Sequence, residues 1–111
     1  MRRYLILSLS LLATAPALAD DDTALPSDKR ELAIACTAYT MAEEQYHTAA
    51  KAGKVDAARA KRAGIDWVGE ARKIGGDNWQ SDVGTAVLIS AADSDDIFAA
   101  KLNRCIALAG E

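Results

Sequence analysis

Residues 27–53 read SDKRELAIACTAYTMAEEQYHTAAKAG. Within them Leu32, Cys36, Tyr39, Ala42, Tyr46 and Ala49 or Ala50 recur every three or four positions. That is one apolar stripe along a helix. Ser27 is the expected N-cap, and Asp28 falls in the first turn, where the helix dipole favours an anion. Gly53, two residues after Lys51, is the expected stop at the C′ position.

The same period continues downstream. Asp56 can cap a second helix whose stripe is Ala57, Ala60, Gly64, Trp67 or Val68, Ala71 and Ile74, with Gly75 and Gly76 as its stop. Asp77 or Asn78 can cap a third, with Trp79, Val83, Ala86 or Val87 and Ser90 facing inward. Residues 93–96 are a turn and N-cap cluster. A last helix then carries Phe98, Leu102, Cys105 or Ile106 and Ala109, and Gly110 ends it. Short connections make successive helices antiparallel, so the expected fold is all-α: a small up-down four-helix bundle with its first and last helices side by side. The small residues Ala57, Ala60, Gly64 and Ala71 should let the second helix approach a neighbour closely.

Upstream of this bundle the chain looks like an export leader. Arg2 and Arg3 form a basic start. An apolar stretch follows from Tyr4 to Ala15, Pro16 breaks it, and Ala17, Leu18 and Ala19 make an A-x-A cleavage motif. The stretch is shorter than the ~20 apolar residues a membrane span needs. The expectation is a general secretory signal peptide at 1–19 of bacterial style, removed on export to the periplasm or outside. No stable membrane insertion is expected after that cleavage. Residues 20–26 then form an acidic leader expected to be disordered, and 27–111 a single helical domain.

Cleavage after residue 19 would leave 92 of the 111 residues, of which 20 are alanine. The only aromatics are Trp67, Trp79, Tyr4, Tyr39, Tyr46 and Phe98. A core this lightly furnished, in a chain this short, is marginal without help. Cys36 and Cys105 are the two cysteines, 69 positions apart and each on an apolar stripe. An oxidising compartment makes them an expected disulfide. Their separation is far from the C-x-x-C of redox catalysts.

The chain is acidic, with net charge −3, or −5 without the two leader arginines. Its signs are segregated: 51–76 is net positive, and both flanks are net negative. Arg59, Lys61 and Arg62 are the tightest basic group. They read as a solvated helix face answering acidic neighbours, or as a contact for an anionic partner. Few aromatics are interleaved, so no nucleic acid is expected as a partner. Trp67 and Trp79 lie on apolar stripes and read first as core. Either becomes an interface candidate if exposed beside an apolar patch.

Catalytic constellations are missing from the pattern. Ser27, Ser81, Ser90 and Ser94 stand outside any G-x-S-x-G context. Residues 75–78 lack the Gly-Lys-Ser/Thr ending of a phosphate loop. Residues 93–96 lack the Gly and Glu of an EF-hand calcium loop. Paired carboxylates need a cleft, which a thin bundle is not expected to offer. Glu44 and His47 form an E-x-x-H one helical turn apart, as in di-iron bundles. Those sites need two such motifs and two further glutamates, and this chain has one histidine. Glu44 and His47 therefore stay weak metal candidates, and no metal or cofactor is expected.

The expected function is accordingly non-enzymatic. It is protein binding by a small exported scaffold of the inhibitor, immunity or secretion-accessory type, with another exported or envelope protein as partner. A periplasmic stress or acid chaperone, or a small-ligand or metal carrier, is the alternative.

Overall fold

A computed structural model describes residues 22–46 and 48–110. The leader at 1–19, His47 and Glu111 lie outside the described residues. The described residues form four helices and no strand: α1 (Lys29–Gln45), α2 (Ala57–Ile74), α3 (Trp79–Ala91) and α4 (Asp95–Ala109).

Capping sets the starts. Asp28, not Ser27, is the N-cap of α1: its carboxylate accepts the Glu31 N–H. An ionised acceptor makes the stronger cap, and Asp28 stands three positions before that N–H. Asp56 caps α2 through the Arg59 N–H and Ser94 caps α4 through the Ile97 N–H. Asn78 occupies the cap position of α3 without a side-chain bond.

α1 also ends early. The stripe runs on toward Gly53, but the helix stops at Gln45, and Tyr46 is exposed. A separate helical turn follows, closed by the Ala52 N–H donating to the Thr48 carbonyl. Both oxygens of Glu43 accept the first free N–H groups of that turn, from Ala49 at 3.0 Å and Ala50 at 2.8 Å. At its far end Gly53 (φ +76°) donates to the Ala50 carbonyl and Lys54 to the Ala49 carbonyl. This is the paired bonding of a Schellman stop. Gly53 thus does act as a C′ residue, but of a one-turn helix that Glu43 starts.

Contacts give the helix directions. Arg30, at the start of α1, donates to the carbonyl of Gly75 at the end of α2, and Thr40 faces Gly64 in mid-α2. α1 therefore runs against α2. Arg30 also pairs with Asp82 at the start of α3, and Tyr39 reaches Asp93 just past its end, so α1 runs along α3. Tyr39 packs on Phe98 near the start of α4, and Cys36 bonds Cys105 near its end, so those two helices are opposed. α1 is the hub: it packs against all three other helices, and α2 also packs on α4.

The core follows from this. Ala33, Cys36, Ala38 and Ala42 of α1 are fully buried, with Phe98, Leu102 and Cys105 of α4 and Ala71 of α2. Alanines let the helix axes approach closely, and Phe98 and Leu102 supply the bulk. The Cys36–Cys105 disulfide is formed, with Cα atoms 5.5 Å apart. Buried hydroxyls are satisfied locally. Thr37 donates to the Ala33 carbonyl, Thr40 to that of Thr37 and Ser90 to that of Val87. Leu25, ahead of α1, packs against the core.

Candidate functional site

The early end of α1 has a geometric result. The last turns of α1, the turn at 48–53 and the first half of α2 enclose a groove of about 650 Å³. A bundle of this length was expected to be too thin for a cleft. It has one because the chain leaves α1 at Gln45 and folds back before α2 begins. Thr37, Thr40, Ala60 and Gly64 form the floor. The two threonine hydroxyls are turned into their own helix, so the floor is largely apolar. Met41, Ile65 and Val68 form the walls, with Ile65 66% exposed. Glu43, Glu44, Thr48, Lys51 and Lys61 stand at the rim.

Glu43 is spoken for by the Ala49 and Ala50 amides. Glu44 is exposed at the rim. His47, the other member of the E-x-x-H pair, lies outside the described residues. Among the described residues no group of three or more histidine, cysteine, aspartate or glutamate side chains is placed to hold a metal ion. The groove lining contains no serine or cysteine and no histidine among its described residues. What it offers is apolar surface with charged side chains at the mouth, which suits binding.

The basic group divides at this site. Lys61 lines the groove, whereas Arg59 and Arg62 are exposed on α2 outside it. The tryptophans are elsewhere. Trp67 is half-buried, and its indole N–H donates to the Cys105 carbonyl at 2.8 Å. Trp79 is half-buried at the α2–α3 corner, where its Cβ packs on Gly75 and the Arg72 guanidinium lies 5.8 Å from its ring centre. Neither reaches the groove.

A second polar cluster sits at the opposite edge of α1. The Tyr39 hydroxyl donates to Asp93 at 2.7 Å, and Lys101 approaches the same carboxylate at 3.5 Å while lying over the Tyr39 ring. Burial of the ring, then the Asp93 hydrogen bond and charge, push the Tyr39 phenol well above its ordinary range. A phenol held protonated in this way ties α1 to the start of α4.

The sequence held two signals for the groove that periodicity did not use. Met41 and Ile65 fall off the apolar stripes of their helices. Large apolar residues off the core face mark an exposed patch. No described helix is long and apolar enough to cross a membrane. Comparison with family models, with curated proteins and with solved structures finds no match.

Proposed function

We propose that this chain is a secreted bacterial binding protein. Residues 1–19 are removed on general secretory export, and the up-down bundle that remains works in the periplasm or outside the cell without catalysis. Its partner is another exported or envelope protein, of the kind met by inhibitors, immunity proteins and secretion accessories. The partner seats an apolar segment in the groove between α1 and α2. The observation that carries this reading is the groove itself, apolar on floor and walls, with Met41 and Ile65 already exposed to meet a partner. A solvent-facing apolar cleft of this size on so small a protein is a recognition surface.

The test is a complex of fixed stoichiometry recovered from the periplasm of the source cell. Ile65→Glu should abolish it while leaving the circular dichroism and the melt unchanged, because the side chain is solvated in the free protein. A complex that survives Ile65→Glu and Met41→Glu removes the groove as the binding site.

A carrier of a small apolar ligand is the second reading. It is favoured by the volume, which falls within the ~300–1,000 Å³ of ligand pockets. A native mass spectrum of the freshly purified protein separates the two. An added mass of a few hundred daltons or so at one per chain favours the carrier.

A further inference from the structure

The groove between α1 and α2 is graded from floor to mouth. At the floor the two helices almost touch: a Cβ built on Gly64 would stand 3.2 Å from the Thr40 Cβ. The floor also offers no free donor. The Thr37 and Thr40 hydroxyls donate to carbonyls of their own helix, and Ala60 and Gly64 bring no polar side chain. Met41, Ile65 and Val68 carry the apolar lining upward. Charge stands only at the mouth. There both Glu43 oxygens are engaged by the Ala49 and Ala50 amides, and Glu44, Lys51 and Lys61 are the other charged groups. Neither lysine meets a carboxylate within ion-pair distance among the described residues.

We propose that the groove takes a single linear acyl chain with an anionic head, the chain along the floor and the head at Lys51 and Lys61. This rests on the reading of the groove as a binding site and names the apolar segment it receives. An extended peptide would bring an N–H and a C=O at every residue, and a floor without partners would leave them buried and unpaired. A helix satisfies its own backbone but is about 10–12 Å thick with its side chains. That is too thick for the bottom of a trough whose walls converge on the Thr40–Gly64 contact. A polymethylene chain has no polar group to satisfy, and it gains by leaving water. The volume of about 650 Å³ lies within the ~300–1,000 Å³ of small-ligand pockets. With Glu43 engaged, two cations stand against Glu44 at the mouth, so the rim favours a carboxylate or phosphate head.

The probes are saturated fatty acids of about 8 to 18 carbons, titrated below their micelle concentrations into oxidised protein stripped on a hydrophobic resin. Binding at one per chain is expected. It should tighten roughly two- to fourfold per added methylene and level off once the trough is full. Ile65→Glu and Met41→Glu, both at exposed positions, should each weaken the best probe by roughly tenfold with an unchanged melt. Lys51→Gln/Lys61→Gln should weaken the fatty acid several-fold and leave its methyl ester unchanged.

Protein from the source cell then gives the origin of the chain. An extractable adduct of about a few hundred daltons in the native mass spectrum means a free amphiphile. An acylated protein held by the parent and released by excess fatty acid means a protein-borne chain. Affinity that rises with length without a plateau, or that survives both glutamate variants, overturns the proposal. So does equal weakening of acid and ester in the lysine variant, or the absence of saturable binding at every chain length. If that absence comes with an unacylated protein partner whose capture Ile65→Glu abolishes, the groove stands as the binding site and the acyl chain alone is withdrawn. With no such partner both readings fall.

Discussion

The Trp67 indole N–H donates to the carbonyl of Cys105, the residue whose sulfur is bonded to Cys36. One position on α4 therefore receives a covalent link from α1 and a hydrogen bond from α2. Three helices are fixed at a point where the side chains are otherwise small. Trp67→Phe keeps most of the ring contact and removes the bond. It is expected to lower stability by about 1–2 kcal/mol, since a part-buried carbonyl loses one of its partners. A urea midpoint indistinguishable from the parent would mean that the indole is merely laid on the surface.

Removing the disulfide should cost more. Its closed loop spans 69 positions, and restricting the unfolded chain to that extent is worth about 4 kcal/mol on the entropic model. Cys36→Ala/Cys105→Ala, or the reduced protein, should therefore have lost most of its stability at 25 °C. Midpoints measured with and without reductant check this. Equal values would place the stability of the bundle in its packing.

Why some of this was legible in the sequence and some not follows from the range of the interactions. Cys36 and Cys105 fall on apolar stripes of helices expected to lie side by side, so periodicity alone brings them together. The stops at Gly75 and Gly110 and the caps at Asp56 and Ser94 are local chemistry, readable within four residues. The end of α1 is not. It depends on Glu43 reaching six and seven positions ahead to the Ala49 and Ala50 amides, across a stretch whose alanines would serve a helix equally well. Missing that break also hid the groove, which exists only because the chain leaves α1 there.

Gly64 and Gly69 are both helical glycines of α2, and the same substitution should act oppositely on them. A Cβ at Gly69 meets nothing within 4 Å, whereas one at Gly64 lies 3.2 Å from both Cβ and Oγ1 of Thr40. Thr40 has little room to yield, being buried with its hydroxyl bonded to the Thr37 carbonyl. Gly69→Ala should gain the helix propensity of alanine, about 1 kcal/mol. Gly64→Ala should lose that gain to crowding and come out no more stable than the parent. Thermal melts of the two variants side by side decide it. A stabilised Gly64→Ala would show that α1 and α2 can part at this contact.

The Tyr39 phenol sets an alkaline limit. Its folded-state value is raised above the ordinary 10.0, first by burial and then by Asp93. The folded state therefore holds this proton more tightly than the unfolded chain does. The associated stability is fully present below the unfolded value, near pH 10, and is lost as pH rises above it. Tyr39→Phe removes both the proton and the bond to Asp93. Urea midpoints from about pH 8 to 11 should fall more steeply for the parent than for the variant. Parallel curves would mean that the phenol ionises freely in the folded protein.

Glu43 is the residue on which the groove depends. Its carboxylate accepts the amides of Ala49 and Ala50, and no other acceptor is seen for them among the described residues. Glu43→Ala leaves the start of that turn uncapped, which is worth about 1–2 kcal/mol. The loss should be local before it is global. Amide hydrogen exchange at Ala49, Ala50 and Ala52 should accelerate by roughly tenfold or more. Exchange at Cys36 and Leu102, held by the disulfide and the core, should follow only the small drop in global stability. Glu43→Gln keeps one acceptor oxygen and should fall between the two. Because Glu43, Ala50 and Lys51 all line the groove, capture of the proposed partner should weaken in the same order, parent above Gln above Ala. Unchanged exchange at Ala49 and Ala50 in the alanine variant would show that Gly53 closes the turn without help from Glu43.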